Sequence, residues 1–153
     1  MPSSAKLRVL FVCIGNACRS PMAEAIARHL AYDIIDPSSA GLSPLGHLSE
    51  VTEEVLCANG YSLDGLASKP LRLEALENAD LVIDLSGGAL EQLSDSHTGE
   101  PLATDKVEIW DVADPYGATH DTYQQILEEL ELKVLLLASR LRTDQRAANS
   151  ASS

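Results

Sequence analysis

Leu7-Arg8-Val9-Leu10-Phe11-Val12 runs directly into Cys13-Ile14-Gly15-Asn16-Ala17-Cys18-Arg19-Ser20, and then into Pro21-Met22-Ala23-Glu24-Ala25-Ile26-Ala27-Arg28-His29-Leu30-Ala31. The first segment, rich in β-branched and aromatic residues, predicts a short buried strand. In the third, Ala23, Ile26, Ala27 and Leu30 fall at i, i+3, i+4, i+7, the apolar stripe of a helix running to about Ala31. Ser20-Pro21 reads as its start, a hydroxyl at the cap and proline in the first turn. Strand, short loop and helix in that order open an α/β fold whose ligands sit beyond the strand ends.

The eight-residue loop carries the parts needed to attack a phosphate. A thiol becomes a strong nucleophile as the thiolate, which a helix N-terminus and a nearby cation favour. Gly15 and Asn16 tolerate positive φ, so the chain can curl until successive N–H groups form an anion nest. Arg19 offers a planar fork for two phosphoryl oxygens. The helix dipole adds to it, and Ser20 can donate its hydroxyl to the Cys13 sulfur. Competing readings fit worse. The loop lacks the Gly-Lys-Ser/Thr ending of nucleotide-binding loops. A zinc site would need ligands that Cys13, Cys18 and four scattered histidines do not supply.

Working outward, Ile34-Ile35 predicts a second, weak strand followed by a loop, Asp36-Pro37-Ser38-Ser39-Ala40-Gly41. Ser49 to Asn59 predicts a helix stopped by Gly60. Leu73–Asn78 is a short helix, Asp80–Leu85 a buried strand, Ala89–Leu93 a further helical turn and Val107–Trp110 a fourth core strand. Thr119–Leu141 is the longest helix, striped by Tyr123, Ile126, Leu127, Leu130, Val134, Leu137, Ala138 and Leu141. The expected architecture is a single-domain α/β three-layer sandwich over residues 1–153, a four-stranded parallel sheet with helices on both faces. Its core is expected at about 7–142, with 143–153, rich in Ala, Ser and Asn, as a disordered tail.

Asp111-Val112-Ala113-Asp114-Pro115-Tyr116-Gly117 follows the fourth strand. Pro115 stiffens this loop and Gly117 permits a turn, so Asp114 is presented as a candidate general acid, with Asp111 as the fallback. Tyr116 would line the entrance and stack on an aromatic substrate, or simply pack.

From Val12 to Glu24 (VCIGNACRSPMAE) the chain resembles the low-molecular-weight protein tyrosine phosphatases. The resemblance continues through Ser39-Ala40-Gly41, Ala79-Asp80-Leu81-Val82 and Asp114-Pro115-Tyr116-Gly117, and so spans about Leu7 to Leu141. It implies Cys13 as nucleophile, Arg19 as phosphate clamp, Ser20 as thiolate partner and Asn16 as loop organiser. Ile14, Gly15, Ala17, Cys18 and Tyr116 complete the substrate site. It also implies that Cys13 and Cys18 can join on oxidation. The residues alone leave that disulfide and a spectator Cys18 equally open, while Cys57 reads as a core residue.

Gly41–Gly60 lacks the aromatic-bearing loop of typical tyrosine phosphatases and resembles arsenate reductases of the same fold. Those carry two further cysteines after the third strand, where Leu85–Leu93 here has none. In arginine phosphatases a Thr usually follows the nucleophile; Ile14 would crowd a guanidinium. The expected reaction is therefore hydrolysis of phosphotyrosine or other aryl phosphates through a cysteinyl-phosphate. The alternatives are an arsenate reductase using external thiols or glutaredoxin, and a non-catalytic phosphate-binding module.

Composition narrows the partners. A net charge of −12, with 11 Lys+Arg against 23 Asp+Glu, argues against nucleic acid. No apolar run suits a membrane span or signal peptide, and three dispersed cysteines do not make a disulfide framework. The expectation is a cytoplasmic enzyme without metal or cofactor, acting on a phosphorylated protein or small aryl phosphate. Oligomeric state is left open.

Overall fold

A computed structural model describes residues 6–92 and 106–151, without side-chain detail for 91, 92 and 151. Four parallel strands, β1 (Leu7–Cys13), β2 (Ile35–Gly41), β3 (Leu81–Asp84) and β4 (Val107–Ile109), lie in the order β2-β1-β3-β4. The central strand β1 pairs with β2 from Leu7↔Ile35 to Cys13↔Gly41, and with β3 from Val9↔Leu81 to Val12↔Asp84. Alternation along β1 then builds two cores. Val9, Phe11 and Cys13 face one cluster, with Met22 and Ile26 of α1 (Arg19–Leu30) and Leu127, Leu130 and Val134 of α4 (His120–Ala151). Leu10 and Val12 face a smaller one, with Leu76 of α3 (Leu73–Asn78) and Leu90 of a 3₁₀ turn at Ala89–Gln92. Helices thus cover both faces, as expected for a parallel sheet. The predicted stripe of α4 is buried from Tyr123 to Leu141.

Several local expectations need correction. The predicted loop Asp36–Gly41 is strand: β2 pairs residue by residue with β1 through it. Pro37 is tolerated because β2 is an edge strand, where a missing N–H costs no ladder bond on the open side. β4 is the other edge: Ile109 is exposed, Val107 packs partly buried against the smaller core, and the continuation Trp110 is buried in the larger one. Helix α1 starts at Arg19, its cap position is Cys18 and no side chain caps it. Ser20 is the second helical residue and serves the site instead. Helix α2 (Glu50–Ala58) is capped as predicted by Ser49, whose side chain accepts from the Thr52 amide, and it ends before Gly60 at φ 83°. Cys57 of α2 is exposed rather than core, because Val55 and Leu56 take the buried face.

The expected disordered tail is instead helix as far as Ala151. Residues 142–151 contain neither Gly nor Pro, and extending an existing helix avoids the cost of nucleating one. Arg142 anchors the extension through a two-pronged pair to Asp33, Nε–Oδ2 2.8 Å and Nη2–Oδ1 2.7 Å. The Leu93 end of the predicted helical turn lies outside the described residues. Among the described residues, no helix is long and apolar enough to cross a membrane.

Candidate active site

The loop from Cys13 to Arg19 is turned so that its carbonyls point outward. Leu42 N donates to Cys13 O at 3.1 Å, Ser43 N to Ile14 O at 2.8 Å, and Leu45 N to Gly15 O at 3.1 Å. Ala17 O accepts from Ser49 N at 3.1 Å and from Thr52 Oγ1 at 2.9 Å. With these four carbonyls turned to the outer segment, the N–H groups on the opposite side of their peptide units are available to form an anion nest. The curl passes through Asn16 at φ 48°, the left-handed region where Asn is tolerated. It also requires Gly41, since a Cβ there would lie 2.8 Å from Asn16 Cβ and 2.9 Å from Ile14 O.

Cys13 ends β1 at the base of this nest, buried, its Sγ 2.9 Å from Ser20 Oγ. Asn16, fully buried, donates through Nδ2 to Ser20 Oγ (2.7 Å) and Ser39 Oγ (3.0 Å), while its Oδ1 accepts from Lys69 N (2.9 Å). Ser39 donates to Glu24 Oε1 at 2.5 Å. Glu24, 3% exposed within α1, also pairs with Arg28 and lies 4.0 Å from Lys69 Nζ. A hydrogen-bonded chain thus runs Glu24–Ser39–Asn16–Ser20–Cys13.

Arg19 is also buried. Its Nη1 donates to Leu85 O (2.5 Å) and Val112 O (3.1 Å), the chain just past β3 and β4. This leaves the Nε/Nη2 edge of the guanidinium. Nε has no partner among the described residues, and Nη2 lies 3.7 Å from Asp114 Oδ2. An edge of two adjacent N–H groups is the fork that grips a phosphoryl group.

Asp114 stands across the cleft, half exposed, its Oδ1 accepting from Tyr116 N at 3.1 Å. The cleft of about 230 Å³ is lined by the loop together with Ser43, Leu45, Asp114 and Tyr116. Ile14 (38% exposed), Leu45 (45%) and Tyr116 (60%) give it apolar walls. Asp111 is exposed but does not line it. Cys18 lies with its Sγ 3.5 Å from Tyr123 Oη, which is also 3.0 Å from Ser49 Oγ. Burial pushes the Cys18 thiol above its ordinary range, against the pull of the Tyr123 hydrogen bond. Burial likewise raises the Tyr123 phenol, to about 12.

The structure therefore brings Cys13, Ile14, Gly15, Ala17, Cys18, Arg19, Asp114 and Tyr116 to one cleft and sets Ser20 and Asn16 behind it. Sequence reading missed four contributors. Glu24 had a visible signal, the i, i+4 spacing to Arg28, but its burial had none. Ser39 sat in a supposed loop, and Leu45 in a stretch without pattern. Ser43 lines the cleft from the same patternless stretch.

Comparison with known proteins agrees with this geometry. The family model for low molecular weight phosphotyrosine protein phosphatases matches residues 8–147. A protein-arginine-phosphatase of Bacillus subtilis is 35% identical over 150 residues, covering 90% of this chain and 99% of its own. A low molecular weight protein-tyrosine-phosphatase of Staphylococcus haemolyticus is 34% identical, with the same coverages. Among solved structures, an arginine phosphatase from Geobacillus stearothermophilus superposes with TM-score 0.80 at 30% identity, covering 92% of this chain and 96% of that one. An arsenate reductase in its phosphate-binding state shares the fold at TM-score 0.73 and 26% identity, covering 90% and 99%. Matched over nearly its whole length, the chain belongs to the low molecular weight phosphotyrosine protein phosphatase family.

Proposed function

We propose that this phosphatase hydrolyses phosphotyrosine and similar aryl phosphate monoesters. The observation that carries the reading is the Cys13 sulfur, 2.9 Å from Ser20 Oγ at the base of a nest whose walls, Ile14, Leu45 and Tyr116, are apolar. A flat aromatic leaving group gains from such walls. Phosphoarginine would bring a charged guanidinium against Ile14.

The phosphoryl oxygens bind the loop amides and the Nε/Nη2 edge of Arg19. Cys13 thiolate, stabilised by the Ser20 hydroxyl, attacks phosphorus in line as the P–O bond to the aryl oxygen breaks. Asp114 gives its proton to the departing oxygen. Water, losing a proton to the Asp114 carboxylate, then cleaves the cysteinyl-phosphate, releasing phosphate and the Cys13 thiolate. The Asn16–Ser39–Glu24 chain fixes the direction of the Ser20 hydroxyl.

An arsenate reductase cycle needs a second thiol to attack a cysteinyl-arsenate. Of three cysteines in the chain, Cys18 is buried against Tyr123 and Cys57 is exposed on α2. Arsenate is expected to inhibit competitively without thioredoxin-dependent reduction.

The test compares phosphotyrosine and phosphoarginine peptides, with arsenate and thioredoxin as a third arm. Phosphotyrosine should lead by at least about tenfold in kcat/KM, the order expected from one mismatched pocket contact. Ile14→Thr should narrow that lead. A preference for phosphoarginine, or sustained arsenite formation, would overturn the assignment.

A further inference from the structure

Helix α4 is apolar on two sides. Its inner stripe is covered by the domain, while Leu132, Leu135 and Leu136 stand 59%, 46% and 63% exposed on the opposite side. Spaced i, i+3, i+4, they form one contiguous patch. Val134-Leu135-Leu136-Leu137-Ala138 is an unbroken apolar run, the pattern of a helix buried all round rather than one facing water.

The polar residues flanking this patch say what covers it. At 100° per residue, exposed Glu128 and Glu129 continue the stripe toward the N-terminus, and exposed Ser139, Thr143 and Arg146 continue it toward the C-terminus. The first end is acidic; the other carries one cation, Arg146, with exposed Asp144 turned off the stripe. The helix also runs on past its last buried residue, Leu141, to Ala151.

We propose that α4 is the interface of a two-fold homodimer, with the two helices antiparallel across the leucine patch. A two-fold axis brings the same patch from both copies together and reverses the helix direction. With the axis beside Leu136, each Leu132 and Leu135 packs against the Leu136–Ser139 turn of the partner. Glu128 and Glu129 of each copy then come within a turn of Arg146 on the other, twice by symmetry. A parallel pairing would instead set acid against acid. The helix extension beyond Leu141 lies along the N-terminal half of the partner's α4. None of the three leucines lines the catalytic cleft at the carboxyl ends of the strands.

Sedimentation equilibrium of the purified chain from low micromolar to sub-millimolar concentration tests this. A reversible monomer–dimer equilibrium is expected. Leu136→Glu should weaken it at least about tenfold, because the dyad sets two carboxylates into apolar contact. Its aryl phosphatase activity should be unchanged, which reports an intact fold. Arg146→Glu should weaken the dimer, and Glu128→Arg with Arg146→Glu should restore it. A chain that stays monomeric throughout would overturn the proposal, including where a different protein covers this face. So would a dimer indifferent to Leu136→Glu, or a charge swap without rescue.

Discussion

The two sides of the catalytic cleft are built differently. The Cys13–Ser20 side is buried apart from its Ile14–Gly15 tip, its outward carbonyls bound and its polar side chains tied into a chain ending at Glu24. The Asp114–Tyr116 side is exposed, held locally by the Tyr116 amide and by the 3.7 Å approach to Arg19. Oxyanion stabilisation rewards groups already in place before charge develops. A proton donor must instead follow the leaving oxygen and later meet a water, which suits a carboxylate on a short, solvated loop. On the proposed roles, binding and proton transfer are separable here, so variants on the two sides should fail in different ways.

Cys13→Ser gives the largest expected effect: turnover is lost, while inorganic phosphate still binds because the amides and Arg19 remain. Calorimetry of phosphate binding beside an activity assay checks this, and near-normal hydrolysis would remove Cys13 as nucleophile. Arg19→Lys comes next. An ammonium cannot fill the Nε/Nη2 fork, and it abandons Leu85 O and Val112 O, so phosphate affinity and turnover should fall together. Retained phosphate affinity would show that the amides alone carry binding.

Asp114→Asn should slow aryl phosphate hydrolysis about 10²–10⁴-fold, the usual worth of a positioned general acid, with phosphate affinity little changed. If affinity drops as much as rate, the exposed side is part of the binding wall and the division proposed here is wrong.

Further from the chemistry, Ser39→Ala should lower kcat by a smaller factor, and it leaves the buried Glu24 carboxylate short of a donor. A cost of about 1–3 kcal/mol in denaturant stability accompanies it. Unchanged stability would argue that the chain behind Asn16 is not under load.

The smallest effect belongs to the far end of α4. Arg142→Ala should cost at most about 1 kcal/mol, as befits a pair on the surface. The Arg142 hydrogen bond holds the Asp33 carboxyl below its ordinary 3.8. Because the folded pKa is depressed, the contribution is complete above pH 3.8 and fades as pH falls through the lowered value. Comparing urea midpoints of the two proteins at pH 7 and below pH 3.8 should show the difference closing in acid.

The loop was legible because each of its residue types answers a separate chemical demand, and because a strand and a helix frame it. What lies behind it was not. Glu24 is a charged residue in a buried position, and neither composition nor periodicity signals a carboxylate that tertiary contacts will enclose. β2 was read as loop because Pro37 and Ser38-Ser39 argue against strand locally, and only pairing with β1 overrides them. The α4 extension was misread for the opposite reason. Its Ala, Ser and Asn residues look disordered by composition, yet they continue a helix already nucleated, with Arg142 reaching back to Asp33. Cys57 shows the limit of periodicity in a short helix, where a one-residue rotation exchanges core for solvent.

The division between a fixed binding side and a proton-donating side is tested most directly by the dependence of kcat/KM on leaving-group acidity. A series of aryl phosphates would be measured with the natural chain and with Asp114→Asn. If Asp114 protonates the leaving oxygen, the natural enzyme should be nearly indifferent to leaving-group pKa. The variant should fall steeply as the phenol becomes less acidic and approach the natural enzyme for the most acidic phenols. Two parallel lines, displaced by a constant factor, would contradict the account and return Asp114 to a structural role.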